Sequence, residues 1–167
     1  MNESSDRDFK LLFTRGTQLL HEKKADQAVE LLERARLEKP DHLDVHINLG
    51  GAYILNGQFS KAAQVLEVAV AIDPDSAMAW TNLGAAYLGN PVLARDEEQL
   101  KAVDAFERVL SIDPRAPHVA YNIGLIYRDR KEWNRAAVWF KRAVRSDPSD
   151  EDARSLLAKM KTYSSQN

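Results

Sequence analysis

The chain has 167 residues, 44% of them hydrophobic, enough to bury one continuous core. Lys plus Arg number 23 against 25 Asp plus Glu, and the formal charge of −2 argues against nucleic acid, whose phosphates select a surplus of cations. There is no cysteine, which excludes a disulfide framework, a thiolate zinc site, an iron–sulfur cluster and a cysteine nucleophile together. No apolar run approaches the roughly 20 residues of a spanning helix. The N-terminus lacks the basic-then-apolar order of a secretory signal, so the expectation is a soluble, cytoplasmic protein.

Proline and glycine positions reveal an internal repeat. Pro40, Pro74, Pro114 and Pro148, like Gly16, Gly50, Gly84 and Gly124, run at intervals of 34 residues with a single interval of 40. Both long intervals contain the stretch from Gly84 to Pro114, so one six-residue insertion accounts for them. The units are 9–42, 43–76, 77–116 and 117–150, flanked by an N-terminal tail (1–8), a closing segment (151–163) and a short tail (164–167). Counted from the first residue of each unit, column 20 is Ala28, Ala62, Ala102 and Ala136, and column 24 is Leu32, Leu66, Phe106 and Phe140. Column 11 is Leu19, Tyr53, Tyr87 and Tyr127. The third unit is the clearest, with Trp80, Leu83, Gly84 and Tyr87 followed by Ala102, Phe106 and Pro114.

Those residues resemble the tetratricopeptide repeat (TPR) family over 142 of the 167 residues. The resemblance implies an all-α fold, a right-handed solenoid of helix–turn–helix repeats closed by a C-terminal capping helix. The first unit departs most, with Leu12 and Arg15 where the family has Trp and Leu.

In chain order, Asn56-Gly57 suits the turn between the two helices of the second unit. Its second helix carries Ala62, Val65, Leu66 and Ala69 at helical spacing. Glycine at column 8 costs helix stability, so a close approach to the small alanine of column 20 is expected there. Each proline ends a second helix, and Asp41, Asp75 or Ser76, and Ser149 are expected to cap the helix that follows. In the third unit Gly89-Asn90-Pro91 must break the first helix, and Asp96-Glu97-Glu98 reads as the acidic first turn of a lengthened second helix. Val92 and Leu93, between Pro91 and Asp96, belong either to a tolerated surface insertion or to a lip over a ligand. Ala153, Leu156, Leu157 and Met160 fall on one face of the closing helix.

No chemistry-bearing motif emerges. His42 and His46 lie four apart without a third ligand, so partly exposed histidines are expected rather than a metal site. Gly50-Gly51 lacks a following Lys-Ser/Thr, and there is no Gly-x-Ser-x-Gly elbow. The expectation is no enzyme, no active site, no metal and no cofactor.

In the family, columns 2, 5, 6, 9, 12 and 13 of the first helix face the concave groove. Column 6 reads Thr14, Asn48, Asn82 and Asn122, similar to the asparagine ladder of peptide-binding TPR units of the O-GlcNAc transferase type. An amide supplies both a donor and an acceptor and can bond to the backbone of any peptide. Column 5 holds Phe13, Ile47, Thr81 and Tyr121, with Phe13 and Tyr121 expected exposed; Met78 and His118 stand at column 2 and Arg128 at column 12. Some TPR domains grip acidic chaperone tails with cations at set columns, but those columns hold neither Lys nor Arg here, so this groove is not expected to take such tails. Charge runs from −3 in the second unit to +3 in the fourth. The reading is therefore a non-catalytic protein–protein interaction module or scaffold binding a partner protein or peptide in its concave groove. The alternatives are a self-associating scaffold, or an accessory subunit of an enzyme or secretion complex. RNA binding is the weakest reading, and no membrane is implied.

Overall fold

The computed structural model describes residues 3–89 and 95–164, and every regular element among them is an α-helix. In order these are α1 (Glu3–His21), α2 (Ala25–Glu38), α3 (Leu43–Leu55), α4 (Phe59–Ile72), α5 (Ala77–Leu88), α6 (Asp96–Ile112), α7 (Val119–Asp129), α8 (Trp133–Ser146) and α9 (Glu151–Ser164). The chain forms two compact units, Met1–Ala102 and Val103–Asn167. In the first, α1 packs on α2 and α3 on α4, while α2 and α4 each lean on the first helix of the next pair. In the second, α7 packs on α8 and α8 on α9, which buries Ala153 and Met160.

α1 starts at Glu3, inside the segment expected as a tail. Contacts with the end of α2 hold the extra turns: Lys39 pairs with Asp6 at 2.8 Å and the Ser5 hydroxyl donates to Glu38 at 2.8 Å. Phe9 is buried with Ala35 and Val45, and the Lys39 ammonium sits 4.6 Å from its ring centre.

Gly16, Gly50 and Gly124 of column 8 face column 24, not the alanine of column 20. A Cβ on Gly16 would lie 2.8 Å from Leu32 Cγ, on Gly124 2.7 Å from Phe140 Cε1, and on Gly50 2.7 Å from each Leu66 methyl. The reason is reach: the large side chain spans the gap between helices and needs a bare backbone to land on, whereas alanine is too short to require one.

The interhelix turns place Lys23, Gly57 and Lys131 at the same column with φ of 59°, 69° and 60°. The next residue donates back to the preceding helix in each case, as Gln58 N–H does to Tyr53 O at 2.8 Å. The turns between repeats rest on the aspartate before proline. Asp73, Asp113 and Asp147 accept from the backbone N–H two residues on, at 3.0, 2.9 and 2.9 Å. Of the expected caps only Ser76 acts, accepting from Ala79 N–H at 3.3 Å. Ser149 is one residue early and donates its hydroxyl back to Asp147, so Asp150 caps α9 by accepting from Ala153 N–H at 2.9 Å. Asp41 does not cap α3, whose N-cap is His42 without a side-chain bond, and Asp75 donates its N–H to Asp73.

Two further bonds join neighbouring repeats in the first unit. Trp80 Nε1–H donates to the carbonyl of Pro74 at 2.8 Å, and His46 at the same column approaches the Pro40 carbonyl through Nε2 at 2.6 Å. The carbonyl fixes the tautomer, with the proton on Nε2. His46 is thereby buried rather than partly exposed, doing with an imidazole what Trp80 does with an indole. Tyr53 donates to Glu33, and Tyr87 to Glu67 at 2.8 Å. Burial, followed by the bonded carboxylate, pushes each phenol up to about 12.

This packing makes adjacent glycines respond in opposite directions. Gly50→Ala should destabilise the protein by about 1–3 kcal/mol through overpacking against Leu66. Gly51→Ala should stabilise it by up to about 1 kcal/mol, since its Cβ would meet only Leu20 Cδ2 at 3.8 Å and helix propensity then decides. Denaturant titration of the two variants reads both signs. For the phenols, the folded state keeps protons that the unfolded chain releases from about pH 10. Their contribution is complete below that pH and is lost as pH rises through about 12. The Tyr53→Phe, Tyr87→Phe double variant should therefore show a shallower fall in Tm across this alkaline window than the parent chain.

Candidate partner-binding face

In the first unit the polar column of the first helices divides into engaged and free members. Asn48 on α3 donates through Nδ2 to Thr17 Oγ1 on α1 at 2.9 Å, so this amide ties two repeats together. Asn82 on α5 stands at the equivalent place, but the residue matching Thr17 is Gly51, which offers no side chain to accept. Asn82 is half-exposed and its amide has no partner among the described residues. Met78, one turn earlier on the same face, is exposed. Thr81 turns its hydroxyl back onto the Ala77 carbonyl at 2.8 Å, and Thr14 is exposed.

Two apolar members of the expected groove are less exposed than anticipated. Ile47 is only 5% exposed, packed with Ala69 and Ala79, because a central repeat is covered on both sides. Phe13 is half-buried rather than exposed: its ring stacks on Phe9 with centres 5.8 Å apart and lies 5.4 Å from the His42 ring.

In the second unit His118 precedes α7 with φ 61° and is exposed. Tyr121 is half-buried, not exposed, with its ring edge-on to Phe140 at 5.7 Å. These two line a hollow of about 120 Å³ together with Ala143, Asp147 and Asp150. Burial first, then the nearby Asp152 and Asp150 carboxylates, raises the Tyr121 phenol above its ordinary value. The two aspartates lining this hollow were not singled out as ligand contacts from sequence; they enter because the turn after α8 folds back beside α7. Asn122 lies outside the hollow, half-exposed and with no partner among the described residues. Arg128 is occupied by the adjacent Asp129, bonded through Nε at 2.8 Å and Nη2 at 2.6 Å. Val92 and Leu93 lie outside the described residues.

Among the described residues no three His, Cys, Asp or Glu side chains are grouped to hold a metal ion. No helix there is long and apolar enough to cross a membrane.

The family model described as tetratricopeptide repeat matches residues 19–87 and 100–160, most of the chain. This chain belongs to the tetratricopeptide repeat family. No curated protein sequence matches it. Among solved structures this TPR chain is similar to MamA, at 20% identity and TM-score 0.77, over 95% of this chain and 88% of that one. It is similar to TTC0263, a thermophilic TPR protein of Thermus thermophilus, at 23% identity and TM-score 0.70, over 91% of this chain and 80% of that one. A third likeness is to the first TPR of Spaghetti (RPAP3) bound to an HSP90 peptide, at 20% identity and TM-score 0.67, over 75% of this chain and 94% of that one. At these identities the likeness establishes the all-α TPR helical-repeat fold.

The contrast among the asparagines has a direct consequence for stability. Asn48→Ala should cost about 0.5–1.5 kcal/mol by removing its bond to Thr17. Asn82→Ala and Asn122→Ala should leave Tm unchanged or slightly raised, as alanine is the better helix former. Thermal melts of the three single variants, followed by circular dichroism, read the difference.

Proposed function

We propose that this TPR chain is a non-catalytic protein–protein interaction module, each compact unit of which offers the outward face of a first helix to a partner segment. The observation that carries the reading is made in each compact unit by itself, at Asn82 in the first and at Asn122 in the second. Each is a half-exposed amide with no bond to any described residue. Each also has an exposed side chain four residues earlier, Met78 beside Asn82 and His118 beside Asn122. An amide able to donate and accept next to apolar or aromatic surface suits recognition of peptide backbone with some side-chain area. The peptide in the Spaghetti TPR structure supports segment capture as a use of this fold. The lack of Lys and Arg at the carboxylate-gripping columns favours a segment held by backbone bonds over an acidic tail on this face.

The test is capture of the native partner by the full chain, followed by titration of that partner against an N82A/N122A variant. Each lost hydrogen bond should weaken binding at its own unit roughly two-fold to ten-fold with unchanged helicity. Equal affinity of a folded variant would remove these amides from the interface.

A second reading, self-association, is favoured by a different observation. Leu11 and Leu37 are 70% and 75% exposed on the first helix pair, beside a hollow of about 360 Å³ that they share with Leu12 and Arg34. Sedimentation at several concentrations separates it from the first reading, because only self-association shifts with the concentration of the chain alone.

A further inference from the structure

The outer face of α8 is a strongly charged surface that the first-helix reading leaves unused. The helix buries Ala136, Phe140 and Ala143 and presents the opposite arc to solvent. At the centre of that arc Val138 is 66% exposed. Around it, at helical spacings that share its face, stand Arg135, Lys141, Arg142 and Arg145. α8 contains no Asp or Glu. Arg135 is partly satisfied by Glu132 at 2.8 Å, and its guanidinium lies 5.5 Å from the Tyr127 ring centre. Arg142 is held over the Trp139 ring at 5.4 Å. Lys141 and Arg145 are exposed and have no partner among the described residues.

We propose that this face of α8 docks an acidic segment of a partner protein, one rich in Asp and Glu with an apolar side chain to cover Val138. Charge complementarity favours it: four cations share one helical face, two without a partner among the described residues and two beside aromatic rings, with no carboxylate on the same helix to neutralise them. The aliphatic centre marks a protein rather than a nucleic acid. A single strand of RNA requires a net basic surface and open aromatic faces for its bases, whereas the chain is net −2 and Arg142 covers Trp139. The interaction is separate from the first-helix face and does not depend on it.

Fluorescence anisotropy of the full chain with a labelled peptide tests this, using Asp and Glu residues around a central Leu and the 14-residue length of α8. Binding should weaken with rising salt and fall at least roughly tenfold in a K141E/R145E variant. The N82A/N122A variant should bind the peptide like the parent chain, which keeps this result distinct from the fate of the first-helix reading. Circular dichroism checks the fold; a K141Q/R145Q variant, which adds no new charge, carries the test should the reversal unfold the protein. Equal peptide binding by the parent and the charge variants would overturn the proposal. So would tighter binding of a single-stranded RNA at the same salt, or a concentration-dependent assembly abolished by K141E/R145E, which would make a second copy the occupant.

Discussion

The contact on which the repeats depend is a large side chain resting on a glycine. Leu32 lies over Gly16, Leu66 over Gly50 and Phe140 over Gly124, so closely that the first atom of any side chain there would collide. Glycine inside a helix is costly by itself, by about 1 kcal/mol against alanine. The compensation is the burial of a leucine or phenylalanine where the two helices of a pair come closest. Everything else in a repeat is arranged around that crossing: the left-handed turn that returns the chain, and the aspartate–proline corner that sends it on.

Polar bonds between repeats set register where apolar packing alone would allow sliding. In the first unit a ring N–H reaches the proline carbonyl of the repeat before it, a tyrosine reaches a glutamate, and Asn48 reaches Thr17. Each is directional, whereas hydrophobic contact is not. These bonds also give several residues with a functional look a structural contact. His46, Asn48 and Tyr53 carry chemistry-bearing groups, and all three spend them on neighbouring repeats.

What remains is a division of labour between faces. The first helices present amides that no described neighbour has claimed, and α8 presents cations that no carboxylate of its own has neutralised. The two surfaces differ in chemistry, so they suit different partners or different parts of one partner. A repeat scaffold permits this because its core is local to each pair, leaving the remaining faces free to vary.

The repeat period, the helix pairs and the family are legible in the sequence alone, because those are written in the spacing of glycine, proline and small or aromatic residues. The sequence also singled out the polar column of first-helix residues. Which members of that column keep an unbonded amide among the described residues depends on contacts between repeats. Asn48 and Asn82 look alike in sequence, yet one faces a threonine and the other a glycine 31 residues earlier. Ile47, Phe13 and Tyr121 share a column expected to face a ligand, but they are covered to different degrees by neighbours that are distant along the chain. The glycine contact falls to leucine or phenylalanine instead of the expected alanine for the same reason. Periodicity reports which face of a helix a residue occupies, while the length of the side chain opposite decides what actually fills the gap.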